Sequence, residues 1–260
     1  TYLDGPAELV IRPSEVESRA SGVAVGRLHV WPPGSADGRH VARLIVESGL
    51  DVVIIRSGAA DVDLASSVKC AELVSWQADT LLYFEIPTEG RSAGPSSLAL
   101  EPLTSGDEAT SDELIERIFE GYRNHYSGNP LLSNINVVSA YQEWTRSSLV
   151  NQDSVVFRAV LDGAQNAGLC SIDTGHEHYD EIALAGVLPE HRRHGFYLEM
   201  ITLVIAHARR SGKQSVVIST QASNIGVMRA WCRLGLLPAL SLNTFHVVRQ
   251  GLLQDLVSAP

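Results

Sequence analysis

The sequence predicts an α/β (α+β) chain, and three observations carry that prediction. From Glu181 to Leu188 an apolar run reads as a buried strand, a short basic turn follows Pro189, and from Phe196 to His207 the apolar spacing becomes helical. Upstream of this strand, loop and helix, two helical patterns precede three strand patterns separated by turns. Nearer the start, strands and helices alternate over residues 23–86, and a stretch from Thr88 to Ser97 rich in Gly, Pro, Ser and Thr divides this smaller α/β unit from the rest. Two domains are expected, residues 1–90 and 98–260.

In order, residues 1–22 show no strong periodicity, and Val23 to Trp31 alternates as a strand stopped by Pro32-Pro33-Gly34. Asp37 to Ser48 places Val41, Leu44 and Ile45 at helical spacing and stops at Gly49, and Val52 to Ile55 reads as a buried strand. A weaker helix from Ala60 to Cys70 and a strand from Thr80 to Ile86 complete the first unit. After the linker come a strand, Leu98 to Leu103, and a helix, Ser111 to Tyr122, with Asp112 and Glu113 in its first turn, where the helix dipole favours them. The polar and aromatic loop Asn124 to Pro130 leads to a second helix, Val137 to Val150, and to strands at Ser154 to Leu161, Gly168 to Thr174 and Glu181 to Leu188. Lys213 to Thr220 is a further strand, Asn224 opens a helix ending at Leu234-Gly235, and Leu240 to Arg249 is the last strand.

Composition narrows the function. Twenty Lys and Arg stand against 30 Asp and Glu, a net charge of -10, so no broad basic surface for nucleic acid can be drawn. Neither a stretch of about 18 apolar residues nor a charged-then-apolar leader is visible, so a cytoplasmic protein without membrane attachment is expected. Cys70, Cys170 and Cys232 are odd in number and widely spaced, and they read as small buried hydrophobes with no disulfide framework or metal site. A homodimer is admissible.

Against that acidic background the basic turn is a local exception. Arg192, Arg193 and His194 stand at the start of the 196–207 helix, whose first N–H groups lack intrahelical partners, and together they make a socket for phosphate. Gly195 lets an anion approach the backbone. Val187-x-Pro189-x-x-Arg192-x-x-Gly195-x-Tyr197, followed by Asn224-x-x-Val227-x-x-x-Trp231-x-x-x-Gly235-Leu236, resembles the paired signatures of the GNAT acyl-CoA N-acyltransferases. Tyr197 stands where that family has a small residue, and Trp231 where it has a tyrosine. Ser219-Thr220-Gln221 and Thr244-Phe245-His246 resemble the branch containing dTDP-fucosamine acetyltransferase.

The resemblance implies a GNAT fold over roughly residues 98–250, a mixed central sheet flanked by helices, preceded by a partial GNAT-like unit. It implies acetyl-CoA (coenzyme A) as acyl donor and a small-molecule amine as acceptor, with the amino group of a nucleotide-linked amino-deoxysugar suggested by the branch. Cofactor contacts fall on Ala185, Val187, Arg192, Arg193, His194, Gly195, Tyr197, Leu198, Asn224 and Trp231. Gly186 leaves room beside the splayed strand or marks a bulge, and the N–H near Val187 is the expected donor to the thioester oxygen. An indole cannot release a proton at neutral pH, so with Trp231 in place of tyrosine the departing thiolate needs another acid, and Tyr197, Cys232 and His246 are candidates. For the base that takes the amine proton Glu181 ranks first, with His178 and Asp180 close to it in sequence and His125 in the loop expected over the acceptor. Substrate contacts are expected from Arg123, His125, Tyr126 and Asn129 in the 124–130 loop region and from Arg146. The rival readings are another small amine, a GNAT-fold decarboxylase, or a non-catalytic acyl-CoA-binding module.

Overall fold

The computed structural model describes residues 9–32, 37–68 and 72–253. The chain begins with β1 (Arg12–Pro13), α1 (Glu15–Ser21), β2 (Val25–His29), α2 (Gly38–Ser48), β3 (Val52–Gly58), α3 (Leu64–Ser67) and β4 (Leu73–Pro87). There follow β5 (Leu98–Leu103), α4 (Glu108–Phe119), α5 (Val137–Val150), β6 (Ser154–Leu161), β7 (Gln165–Asp173) and β8 (Tyr179–Val187). The last elements are α6 (Phe196–Arg210), β9 (Ser215–Gln221), α7 (Ile225–Leu234) and β10 (Leu237–Arg249). No helix among the described residues is long and apolar enough to cross a membrane.

These elements form two compact units that are not consecutive in sequence. The first holds the described residues of Thr1–Leu82, Arg123–Asn136 and Leu240–Pro260, and the second holds Tyr83–Tyr122 and Val137–Ala239. One division between these units falls inside β4, between Leu82 and Tyr83. In the first unit β3 pairs in parallel with β2 and antiparallel with β10, so Val52, Val53, Ile54 and Ile55 are all buried, as a strand covered on both faces requires. Leu28, Val41, Ile45, Phe245 and Val247 complete its core. Asp37 caps α2 by accepting from the Arg39 N–H at 3.0 Å, and Gly49 at φ 72° ends it.

Two elements depart from expectation here. The 60–70 helix shrinks to Leu64–Ser67, because successive turns from Gly58 to Asp61 and from Asp61 to Leu64 use up the preceding chain; Cys70, like Pro33 and Gly34, lies outside the described residues. Strand β4 starts at Leu73 and not Thr80. Its polar residues hid the alternation, and Asn243 on β10 satisfies them by accepting from Gln77 at 3.1 Å and from Thr80 at 3.0 Å.

The second unit has the mixed sheet flanked by helices that was expected. Strands β5, β6, β7 and β8 run antiparallel in that order, and β9 adds in parallel to β8. Leu114, Ile115, Ile118 and Phe119 of α4 pack with Val156, Leu169 and Leu184 of the sheet. Met200, Ile201, Val204 and Ile205 bury one stripe of α6.

Candidate active site

The site begins where β8 leaves its neighbour. Parallel pairing with β9 runs from Tyr179–Ser215 to Ile182–Ile218 and stops, although β8 continues to Val187 and β9 to Gln221. At the same level the register against β7 jumps, with Ser171 opposite Leu184 and Ile172 opposite Ile182, so Ala183 is an extra, bulged residue. A bulge bends and twists a strand locally. Residues Ala183 to Val187 thus have no β9 partner, leaving backbone groups that an extended ligand could pair with. The expected role of Gly186 needs correcting: a Cβ there would lie 2.2 Å from Ile118 Cγ2, so the missing side chain admits α4 and not a ligand.

Beyond the strand, Pro189–His191 forms a 3-10 turn and the chain enters α6 through two left-handed residues, Arg193 at φ 69° and Gly195 at φ 87°. Gly195 is the N-cap and offers no side-chain oxygen, so the first N–H groups of a 15-residue helix face outward uncapped. Nothing lies within 4 Å of the position a Gly195 Cβ would take. Arg192, Arg193 and His194 are exposed around this helix start. Open backbone donors and positive charge suit the diphosphate of CoA. Arg192 has a structural task besides, since its Nη2 donates to the Ile118 carbonyl at 2.8 Å near the end of α4.

Trp231 takes a different place from the one expected. It is 1% exposed, meets Phe84 edge-on at 5.3 Å between centroids, and donates its indole N–H to the Tyr197 hydroxyl at 3.1 Å. Its polar group is therefore spent on Tyr197. Burial pushes the Tyr197 phenol well above its ordinary range and the Cys170 thiol up to about 12, so both hold their protons at neutral pH. Cys232 is exposed, not buried, because it follows Trp231 onto the outer side of α7. Asn224 precedes α7 without capping it; its Nδ2 donates to Thr220 Oγ1 at 3.1 Å on the end of β9 that runs beyond its pairing with β8. Leu198 is half-buried in the first turn of α6.

Glu181 lies in the paired part of β8, one residue before the strands part. Val187 is six residues further along the strand, about 20 Å, so the two cannot act on one carbonyl; the amides of Ala183 and Ala185, about 7 and 13 Å along, are better placed. Arg146, expected to meet an anionic acceptor, is engaged by Asp112. Sequence reasoning missed an aromatic group in this unit: Phe119, Tyr122, Tyr141 and Trp144 contact one another in sequence, and the Tyr122 hydroxyl donates to Gln221 at the free end of β9. Their spacing along α4 and α5 was the available signal. Asp180 is fully buried 3.6 Å from Lys213 Nζ, and burial raises its carboxyl; it sits at the far end of β8 from the loop.

The remaining candidates belong to the first unit, and most are built into its interior. Asn129 Oδ1 accepts from the Leu131 N–H at 3.0 Å, which orients its Nδ2 as donor to His246 Nδ1 at 3.1 Å. His246 must then carry its proton on Nε2 and donate to His125 Nδ1 at 2.9 Å, which leaves His125 with an Nε2 proton. His125 is thus a hydrogen-bond donor at its outer nitrogen and not a base, and His246, 0% exposed with both nitrogens engaged, is neither acid nor base. Burial holds both rings neutral, His246 at about 4. Tyr126 gives its hydroxyl to Glu17 at 2.7 Å and accepts from Arg27, so neither it nor Asn129 offers a polar group to a substrate. Arg123 is exposed.

A mixed sheet whose strand parts from its parallel neighbour, feeding an uncapped helix start flanked by arginines, is an arrangement that can hold an extended, anionic ligand. The sequence profile of the Acetyltransferase (GNAT) family matches residues 116–236, a little under half of the chain. Among solved structures, a GCN5-related N-acetyltransferase from Sphaerobacter thermophilus is similar with TM-score 0.61 and 16% identity over 93% of this chain and 76% of its own. Another from Kribbella flavida gives 0.58 and 13% over 87% and 82%. A tandem GNAT protein from the clavulanic acid biosynthesis pathway gives 0.55 and 15% over 88% and 76%. These likenesses extend to the fold alone. No curated protein matches the sequence significantly.

Proposed function

We propose that the chain transfers an acetyl group from acetyl-CoA directly to the amine of a small molecule within a ternary complex. The observation that carries this reading is the parting of β8 from β9 after Ile182, immediately upstream of the Arg192–Gly195 loop and the uncapped start of α6. Arg193, Gly195 and the α6 amides hold the diphosphate, and the free edge from Ala183 to Val187 pairs with the pantetheine arm. When bound, acetyl-CoA supplies the activated acyl carbon. Strand amides near Ala185 stabilise the oxyanion, an arrangement that contributes about 3 kcal/mol in comparable sites. Glu181 receives the amine proton through water.

The acceptor we propose is an amino group on a nucleotide-linked deoxysugar. Support for it comes from the Ser219–Gln221 and Thr244–His246 runs, and the ring surfaces of Tyr122 and Tyr141 suit stacking against such a ligand. We also read the first unit as a partial second copy of the fold, which the likeness to a tandem GNAT protein favours. Incubation of acetyl-CoA with a panel of amines, following free thiol and acylated amine together, tests the reading. Thiol release matched by N-acetylation is expected. Thiol release without N-acetylation would favour a decarboxylase or hydrolase, and binding without turnover a non-catalytic module.

A further inference from the structure

The sheet of the first unit has an apolar face and a cationic one. Val53 and Ile55 of β3 join the core under α2, so Ile54 and Arg56 project to the opposite side. Register fixes their neighbours there. Arg12 of β1 stands opposite Arg27 of β2, Arg27 opposite Ile54, and Ile54 opposite His246 of β10. In the next row His29 stands opposite Arg56, and Arg56 opposite Thr244. Residues two apart on a strand share a face, so both rows lie on one surface. The 125–129 turn reaches the first row, His125 pairing with His246, and the Tyr126 hydroxyl accepting from Arg27.

Charge and unsatisfied donors both point to an anion on this surface. Arg12 faces Arg27 directly and Arg56 lies on its diagonal, placements that cost stability for like charges. Three guanidiniums stand here against the Glu17 carboxylate that pairs with Arg27, so two positive charges are in excess among these four groups. Exposed His29 registers the field: desolvation, then Arg56, Arg27 and Arg12, hold its imidazole at about 4. The donors are more specific. Thr244 is 0% exposed, and its hydroxyl, in the row of Arg56, has no hydrogen-bond partner among the described residues. His125 is 7% exposed; its Nδ1 accepts from His246, so its proton is on Nε2, and that N–H also meets no acceptor among the described residues. Burial and then Arg56, ahead of His246 and Arg27, lower the His125 imidazole, in keeping with its place beside the Arg56 row. Buried donors left without acceptors cost free energy that one shared acceptor would recover.

We infer that this face is a second anion site, built for the dianionic group of a phosphate monoester, with Arg56 supplying the charge and the Thr244 hydroxyl and the His125 Nε2–H donating to its oxygens. The three phosphate oxygens match the three kinds of donor, and a double negative charge matches the excess; a carboxylate supplies two oxygens and one charge. The site belongs to the first unit and is independent of the helix-start socket and of the acetyltransferase reading.

The test follows the histidine side chains of the full chain, labelled with nitrogen-15, by NMR at pH about 8, where a phosphate monoester is dianionic. Methyl phosphate is titrated beside acetate and chloride at matched ionic strength. Methyl phosphate is expected to shift the His125 Nε2–H resonance saturably and to bind at least about tenfold more tightly than acetate. Arg56→Gln should weaken that binding about tenfold or more, and Thr244→Val about two- to tenfold. A native chain that gives no saturable shift, or the same shift with chloride, would overturn the site, the latter because it reports only screening of exposed charge. Acetate binding as tightly as methyl phosphate would overturn the phosphate assignment. Unchanged affinity in folded Arg56→Gln would overturn the role of the guanidinium; if that variant does not fold, Thr244→Val decides, since valine suits a strand and removes only the hydroxyl.

Discussion

Replacing Gly195 separates the anion site from the fold that presents it. Gly195 sits at φ 87° with nothing within 4 Å of a would-be Cβ, so Gly195→Ala suffers only the left-handed backbone, roughly 1–2 kcal/mol. Gly195→Glu suffers the same backbone cost and adds a carboxylate beside the uncapped N–H groups of α6. A unit negative charge about 5 Å from a phosphate is repelled by roughly 1–3 kcal/mol for effective dielectric constants between about 80 and 20. The two variants should therefore lose similar thermal stability, a few degrees at this chain length. CoA should bind Gly195→Glu about 5- to 150-fold more weakly than Gly195→Ala. The gap should narrow at high salt, as screening of exposed charge demands. Isothermal calorimetry at two ionic strengths reads the affinities and scanning calorimetry the stabilities. Equal CoA affinity in the alanine and glutamate variants would mean that no phosphate approaches this helix start, and the reasoning from loop to cofactor would fail.

Gly186→Ala should lose roughly 1–3 kcal/mol by overpacking against Ile118, and Ile118→Val should recover part of it; strictly additive urea midpoints would contradict the contact. Acid should weaken the first unit through its histidines. His246 titrates near 4 in the fold against 6.5 unfolded, so the unfolded chain binds more protons between these values. Stability from this group is full above about 6.5 and lost as pH falls toward 4, on the order of 3 kcal/mol, and His125 and His29 act in the same direction. His246→Gln should flatten the urea midpoint across that window, and an unchanged slope would rule the ring out as its source. For the acceptor, a nucleotide-linked amino sugar should be acetylated with much higher kcat/KM than the free sugar, and Arg123→Ala should reduce that preference. Arg146→Ala should leave acceptor KM within about twofold, because Asp112 already holds that guanidinium.

The parts of the site that could be read from the sequence are those made by neighbours in the chain. A strand, a turn with Gly195 and an amphipathic helix declare themselves over about 25 residues, because periodicity and backbone constraint are local. The bulge at Ala183 left no such mark, since it depends on register against β7. Gly186 was ambiguous for a similar reason: only Ile118, on a helix far back in the chain, distinguishes an open cleft from a close packing contact.

The 124–130 loop shows the same limit from the other side. Its Asn, His and Tyr residues, bounded by Gly and Pro, have the composition of an exposed recognition loop. Their partners are Glu17 and His246, 109 and 117–121 residues away, and closing those distances turns the polar groups inward. The Thr244-Phe245-His246 run, which carried the branch resemblance, is buried at all three positions. A buried run is selected by what it packs against, and an acceptor can reach it only indirectly. The nucleotide-sugar reading therefore leans on Ser219–Gln221, at the free end of β9, where Gln221 takes the Tyr122 hydroxyl and Thr220 the Asn224 amide. A substrate preference encoded in this chain should be sought there, in side chains bordering the gap between β8 and β9, before it is sought in the interior of β10.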